Sequence, residues 1–222
     1  MKLVFYGGGD GHDNKALDKA LINLSNNKKP QITYIPSCSY ENDLDFKDFV
    51  KQYSQYRLTK FVYFPIDIPF DKVVYKEALN SDIIHLSGGN TFYFLKHLRK
   101  TGILNDLKTF VKKGGILTGL SAGAIIMTPN IATASFPEFD CDENEENLVN
   151  YSSLNLVPFE FFPHYRNSKR YDNELINHSK KLDKPVYACP DGSGIVINNE
   201  LMSFVGKAYC FYKGKKVLIK NK

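Results

Sequence analysis

The residues with the clearest chemical pattern lie at positions 119–123, which read Gly-Leu-Ser-Ala-Gly. An apolar run typical of a buried strand precedes them, and small apolar residues typical of a buried helix follow from Ala122. A Gly-x-Ser-x-Gly sequence between a strand and a helix is the pattern of a nucleophile elbow, which exposes a serine hydroxyl above a sheet edge. So tight a turn leaves no room for bulk at Gly119 and Gly123. Ser121 is therefore a candidate nucleophile, and the alternative is an ordinary tight turn.

A serine nucleophile needs a general base, and five histidines could supply one. His164 follows an aromatic, strand-like run at 159–163 and begins a loop, so its side chain is expected at the open edge of a sheet. His85 lies inside an apolar strand and is predicted to be a satisfied core residue. His12 lies in a glycine turn, and the remaining two histidines lie in polar helical segments. His164 is therefore the candidate base.

Two aspartates could orient that histidine. Asp191 follows a predicted strand in a Pro-Asp-Gly turn, where it could also serve only as a turn former. Asp142 lies in the run 138–146, which contains six acidic residues and could equally be a solvated loop. A Ser-His-Asp order along the chain differs from the Ser-Asp-His order of α/β-hydrolases, so that fold is disfavoured. The choice between the two acids stays open at this point.

Strands and helices alternate up to the elbow, which predicts an α/β fold with a mostly parallel sheet and helices on both faces. Glycine-rich turns at 7–11, 88–91 and 119–123 each follow a predicted strand, so all three should lie at the carboxyl edge, where ligands bind. The turn at 7–11 lacks a dinucleotide-binding fingerprint and is predicted to be a flexible connection. No linker interrupts the chain, so residues 1–222 are predicted to form a single domain.

Composition narrows the classes of partner. The chain has 222 residues and a net charge of +5, but its lysines are scattered and no arginine-rich stripe is present, so no nucleic-acid partner is expected. No apolar run reaches the ~20 residues of a membrane helix and the start does not resemble a signal peptide, so we expect a cytoplasmic protein without a membrane partner. No metal-ligand spacing is evident, and serine acyl transfer requires no cofactor. Monomer and homodimer remain equally open.

Three motifs together resemble one family. Ser-Gly-Gly-Asn-Thr at 87–91, Gly-Leu-Ser-Ala-Gly-Ala at 119–124 and Pro-His-Tyr at 163–165 resemble the peptidase E (aspartyl dipeptidase) family of serine peptidases, to which cyanophycinase is related. The resemblance covers nearly the full chain. It implies a three-layer, class-I glutamine-amidotransferase-like (flavodoxin-like) fold with serine in place of the cysteine.

The resemblance also implies roles for individual residues. Ser121 would be the nucleophile and His164 the general base. Relatives often carry a glutamate where Asp191 lies, and they also have an aspartate between elbow and histidine, as Asp142 is here, so either acid could complete the triad.

Other implied roles fall on the glycine turn and on the start of the helix after the elbow. The backbone amides of Gly89 and Ala122 would form the oxyanion hole. Gly88 and Asn90 are assigned to substrate binding, because a glycine backbone can approach a substrate closely.

The substrate implied by the resemblance is a short peptide, such as a dipeptide with an N-terminal aspartate, cleaved through an acyl-enzyme. Such a substrate needs a cation for its side-chain carboxylate, and Arg166 and Arg170 are candidates because guanidinium groups pair bidentately with carboxylates. They could also be two surface arginines at the start of a polar helix. Alternatives are a hydrolase of β-aspartyl or other isopeptide bonds and a non-catalytic binding protein on the same fold.

Overall fold

The structure, a computed structural model, describes residues 1–40 and 42–219, so positions 41 and 220–222 of the predicted domain lie outside the described residues. The strands are β1 (Lys2–Tyr6), β2 (Gln31–Ile35), β3 (Lys60–Tyr63), β4 (Ile83–Leu86), β5 (Ile116–Leu120), β6 (Glu160–Phe162), β7 (Val186–Ala188), β8 (Gly194–Asn198), β9 (Leu201–Val205), β10 (Ala208–Tyr212) and β11 (Lys215–Ile219). The helices are α1 (Lys15–Leu24), α2 (Asn42–Ser54), α3 (Lys72–Leu79), α4 (Thr91–Lys100), α5 (Ile103–Lys112), α6 (Ala122–Ile126) and α7 (Lys169–Lys180).

Within the described residues, the central sheet has seven strands in the order β3-β2-β4-β5-β1-β8-β9. Its first five strands are parallel, and β8 and β9 extend it in antiparallel fashion. Alternate side chains of a strand point to opposite faces, and in β1 Val4 and Tyr6 pack with α1 and α2, whereas Leu3 and Phe5 pack with α4 and α5. Both faces are therefore covered, and the predicted α/β, mostly parallel, flavodoxin-like fold is confirmed.

A second sheet, in the order β11-β10-β7-β6, lies beside the first among the described strands. The sequence predicted antiparallel strands at the end of the chain, but not their division between two sheets. The division follows Gly206, whose φ of 74° suits glycine and lets the chain leave the first sheet after β9. Because β6 and β7 are parallel neighbours, the loops that follow them leave the same edge of this sheet, and those loops contain His164 and Asp191.

The irregular segment between α6 and β6 contains two short 3₁₀ turns, Ala132–Ser135 and Glu138–Asp140. Its acidic run is attached to α4: the Thr91 amide donates to Asp142, and Lys96 forms an ion pair with Glu146. This part of the chain therefore supports a helix and is more than the solvated loop that its composition also allowed. None of the helices in the described part of the chain is long and apolar enough to cross a membrane.

Candidate active site

Ser121 lies at the junction of β5 and α6 with φ 50° and ψ −109°, an unusual backbone conformation for a residue with a side chain. Its glycine neighbours explain how the turn closes. A Cβ on Gly119 would lie 2.3 Å from the carbonyl carbon of Gly123, and a Cβ on Gly123 would lie 2.2 Å from the Leu86 oxygen. Strain of this kind persists only where the surroundings enforce it, and it is common at functional sites.

His164 joins the two other side chains of the site. Its Nε2 is 2.8 Å from the Ser121 Oγ, and its Nδ1 is 2.7 Å from the Asp191 Oδ1. With the proton on Nδ1, the ring donates to the Asp191 carboxylate and its Nε2 accepts from the serine hydroxyl. Nucleophile, base and orienting acid in this geometry are what acyl transfer by a serine requires.

Three successive carbonyl groups at the end of β1 hold the three segments that supply these side chains. The Ser121 amide donates to the Tyr6 oxygen at 3.2 Å, and the His164 amide donates to the Gly7 oxygen at 2.6 Å. The Gly192 amide donates to the Gly8 oxygen at 3.1 Å, which fixes the turn that carries Asp191. The first glycine turn is thus a shared anchor for the site, whereas the sequence predicted a flexible connection.

Gly8 lies directly against the histidine–aspartate pair. A Cβ at Gly8 would lie 2.2 Å from the Asp191 Oδ1 and 2.3 Å from the His164 Nδ1, and the Gly8 φ is +131°. No side chain fits there without displacing the pair. Sequence reasoning missed this residue, although three glycines in a row at 7–9 exceed what one turn needs and were the available signal.

The structure separates the two candidate acids. Asp191 is hydrogen-bonded to His164, whereas the Asp142 Oδ2 accepts from the Thr91 amide at 2.8 Å, at the first turn of α4. Asp142 does line a small pocket of about 80 Å³ together with Ser121 and His164. It is therefore close to the reactive groups but is not bonded to the histidine in this structure.

The second glycine turn lies beside the elbow. A Cβ on Gly88 would lie 3.7 Å from the Ser121 Cβ, and a Cβ on Gly89, whose φ is +126°, would lie 2.1 Å from the Ser37 Oγ. Neither the Gly89 amide nor the Ala122 amide has a hydrogen-bond acceptor among the described residues. Both remain available to a bound group.

Asn90 is engaged within the protein at both ends of its side chain. Its Oδ1 accepts from the Tyr93 amide at 2.9 Å and caps α4, while its Nδ2 donates to the Glu143 oxygen at 2.8 Å. Asn90, which was predicted to bind substrate, therefore has a structural role that its sequence context did not predict.

Arg166 and Arg170 are not among the described residues that line the small pocket. Both are exposed, and the Arg170 guanidinium lies 3.7 Å from the centre of the Phe139 ring. Arg166 and Arg170 also act electrostatically on Tyr171, whose pKa is raised by burial and by donation of its hydroxyl to Asp140. Since Asp140 lines the small pocket, the arginines are near its rim without lining it.

The sequence profile of peptidase family S51 matches residues 3–205. The chain belongs to peptidase family S51. An S51 chain is a peptidase of the serine hydrolase type, and the predicted membership of the peptidase E family is confirmed.

Individual relatives agree with the family match. An uncharacterized peptidase of Listeria innocua is 33% identical over 145 residues, which are 64% of this chain and 68% of that protein. Peptidase E of Nostoc sp. is 27% identical over 147 residues, which are 62% of this chain and 58% of that protein. A 1.5 Å crystal structure of a Listeria monocytogenes protein assigned to peptidase E has a TM-score of 0.74 at 25% identity, covering 92% of this chain and 98% of that one. The sequence alignments thus span about three fifths of the Nostoc protein and two thirds of the Listeria innocua one.

Proposed function

We propose that this chain hydrolyses short peptides through an acyl-enzyme formed on Ser121, with His164 as general base and Asp191 as the orienting acid. The observation that supports this most strongly is the continuous pair of hydrogen bonds from the Ser121 Oγ through the imidazole to Asp191, at 2.8 and 2.7 Å. The same pair of bonds argues against a non-catalytic binding protein, because binding alone does not require a serine hydroxyl, an imidazole and a carboxylate joined in one series of hydrogen bonds.

The reaction follows from the placement of these groups. His164 Nε2 takes the proton of the Ser121 hydroxyl as its oxygen attacks the peptide carbonyl, and Asp191 stabilises the imidazolium that forms. The amides of Gly89 and Ala122 donate to the oxyanion of the tetrahedral intermediate. The imidazolium then protonates the leaving amine, and water, activated by the same histidine, releases the acyl group from Ser121.

For the substrate we propose a dipeptide with an N-terminal aspartate. Asp140 and Asp142 line the pocket that contains Ser121, and their carboxylates suit the free α-ammonium group of such a substrate. Arg166 and Arg170, exposed near the rim, suit its side-chain carboxylate. Two relatives that carry the name peptidase E, from Nostoc sp. and Escherichia coli, support the choice.

The test is a panel of Asp-Leu, N-acetyl-Asp-Leu, Ala-Leu and β-Asp-Leu, with release of leucine measured for the wild-type protein and for Ser121→Ala. We expect turnover of Asp-Leu alone by the wild type, and its complete loss in the variant. Turnover that is unchanged in Ser121→Ala would refute the nucleophile. Preference for β-Asp-Leu would replace the proposed substrate with an isopeptide.

A further inference from the structure

Ser87 lies between β4 and the glycine turn at 88–91, and the proposed reaction gives it no role. It is only 3% exposed. Its amide donates to the Ile35 oxygen at the end of β2, at 3.0 Å, and its carbonyl accepts from the Gly123 amide in α6, also at 3.0 Å. Ser87 therefore connects β2, the glycine turn and the helix that follows Ser121.

The Ser87 hydroxyl takes part in hydrogen bonds in both senses. Its Oγ accepts from the Ser37 amide at 2.7 Å and donates to the Gly88 oxygen at 2.8 Å. A hydroxyl group can do both at once, since it has one hydrogen to donate and two lone pairs that accept. An alanine side chain would do neither, and a thiol would do both only weakly. These two bonds therefore depend on the hydroxyl group.

The bond to Gly88 acts on the next amide along the chain, because the Gly88 carbonyl and the Gly89 N–H belong to one peptide group. That group is planar and trans, so its C=O and its N–H point in opposite directions. A hydroxyl that holds the carbonyl in place therefore also fixes the direction of the Gly89 N–H. This N–H is one of the two proposed oxyanion donors.

The peptide group between Gly88 and Gly89 needs such a bond, because neither residue has a Cβ that would restrict its rotation. Gly89 has a φ of +126°, and a Cβ there would lie 2.1 Å from the Ser37 Oγ. Ser37 thus packs against Gly89 and also donates its amide to Ser87. The turn is held at both of its glycines by neighbours on β2 and β4 or directly after them.

Ser87 also lies against the second proposed donor, the Ala122 amide. Ala122 precedes Gly123, whose amide donates to the Ser87 oxygen. A Cβ on Gly123 would lie 2.2 Å from the Leu86 oxygen, so the start of α6 is in close contact with the end of β4. One residue therefore contacts the peptide group of one donor through its side chain and the neighbour of the other donor through its main chain.

We propose that Ser87 is a positioning residue, whose hydroxyl holds the Gly88–Gly89 peptide group so that the Gly89 N–H points at the oxyanion. This inference rests on the proposed function, since the oxyanion belongs to the reaction at Ser121. Donors that are fixed in advance stabilise a transition state better than donors that must first rotate into place. Loss of the hydroxyl should slow the reaction without weakening substrate binding, because the oxyanion forms only during the reaction.

The first test is steady-state hydrolysis, by Ser87→Ala, of the dipeptide that the wild type cleaves best. We expect kcat to fall about 10²-fold and KM to change by less than about threefold. A fall in activity that appears only in KM would overturn the inference, because it would mean that Ser87 supports substrate binding.

Ser81→Ala is the matched control. Ser81 precedes β4 at the opposite end of that strand, is 5% exposed, and has a hydroxyl bonded to the Thr33 Oγ1 at 2.7 Å and to the Gln31 Nε2 at 3.1 Å. The variant loses similar buried bonds, but none that bears on the oxyanion donors, so its kcat should stay within about twofold of the wild type. An equal fall of kcat in both variants would overturn the inference.

Ser87→Cys serves as a second variant if Ser87→Ala does not fold. The thiol fills the space of the hydroxyl but is a weak donor and a weak acceptor, so kcat should fall at least about tenfold while KM is unchanged. A kcat equal to that of the wild type would show that the two hydrogen bonds of the hydroxyl are not needed, and would also overturn the inference.

Crystal structures of the wild type and of the folded Ser87 variant test the positioning without any substrate. We expect the Gly88–Gly89 peptide group to be rotated in the variant, or to occupy two orientations, while His164 keeps its hydrogen bonds to Ser121 and Asp191. An unchanged peptide group would overturn the inference even if the variant is less active. If the wild type cleaves no peptide but the peptide group rotates in the variant, the proposed function fails while the positioning of the Gly89 amide by Ser87 stands.

Discussion

His164 and His85 each line a pocket at the carboxyl edge of the sheet, and their environments are opposite. The side chain of His164 is 48% exposed and both of its ring nitrogens are hydrogen-bonded, to Ser121 and to Asp191. His85 is buried among aromatic rings, and its Nδ1 has no partner in the described part of the chain. The His164 imidazole is placed to exchange a proton with Ser121, whereas burial keeps the His85 imidazole neutral.

The difference shows that a histidine at a sheet edge acquires its chemistry from its partners. Backbone bonds to Gly7 and Gly8 hold the loops that carry His164 and Asp191, whereas His85 lies inside β4, between β2 and β5. The same reasoning separates the two acids, since Asp191 meets an imidazole and Asp142 meets a backbone amide. Four predictions test these contrasts, from the largest expected effect to the smallest.

Replacing Asp191 by asparagine should lower kcat about 10³- to 10⁴-fold, because an amide neither fixes the histidine tautomer nor stabilises the imidazolium. The measurement is steady-state hydrolysis of the dipeptide that the wild type cleaves best. Asp142→Asn is the matched control and should mainly raise KM. A larger loss of kcat in Asp142→Asn than in Asp191→Asn would reverse the assignment of the acid.

His85 should make the protein less stable in acid. Burial lowers its pKa to about 3, whereas the unfolded chain takes up this proton near pH 6.5. The contribution is therefore fully present above pH 6.5 and is lost as the pH falls toward 3, by on the order of 5 kcal/mol in total.

Urea unfolding at several pH values between 7 and 4 measures this contribution. His85→Phe keeps a ring in the aromatic cluster and removes the titration, so its stability should fall less steeply with decreasing pH. Identical slopes for the two proteins would show that His85 does not titrate as its burial implies.

Replacing Gly8 by alanine should lower kcat on the order of 10²-fold, because a methyl group there displaces the His164–Asp191 pair from its position against Ser121. Gly114→Ala is the matched control, since Gly114 also has a positive φ, of +95°, but nothing within 4 Å of the added Cβ. Equal kcat values for Gly8→Ala and Gly114→Ala would show that the absence of a side chain at Gly8 is not needed to position the His164–Asp191 pair.

Replacing Asp142 by alanine should lower the free energy of unfolding by about 1 kcal/mol, because the Thr91 amide at the start of α4 loses its acceptor. Glu145→Ala, an exposed position in the same acidic run, should change it by less than about 0.5 kcal/mol. Urea unfolding at neutral pH compares the two. If the two variants have the same free energy of unfolding, the hydrogen bond from the Thr91 amide to Asp142 does not stabilise this end of α4.

Local features of the sequence were sufficient for the elbow, because Gly119 and Gly123 are required by a single turn and stand beside the serine they serve. The parallel sheet was predictable for a similar reason, since each strand and helix is encoded by its own apolar period. Gly8 was not predictable in this way. A side chain is excluded at Gly8 by His164 and Asp191, which are distant in sequence. These residues contact Gly8 only in the folded chain, where the loops after β1, β6 and β7 pack together.

The prediction for His85 had two parts, of which one is confirmed and the other is wrong. An apolar strand predicted that His85 is buried, and the prediction is confirmed. The expectation of a satisfied ring was wrong for the His85 Nδ1, which has no partner among the described residues, because the neighbours of the imidazole include aromatic rings contributed by β2 and α2. Which side chains contact each other across a sheet depends on the order of the strands, and the sequence of a single strand or helix does not predict that order.

The most direct test of the central claim is labelling by a fluorophosphonate, which reacts with an activated serine whatever the natural substrate is. We predict that the wild-type protein is labelled on the peptide that contains Ser121, as located by mass spectrometry, and that His164→Ala and Ser121→Ala are not labelled. Labelling of His164→Ala at the wild-type rate, or labelling of the wild type at another residue, would contradict the proposed roles of Ser121 and His164.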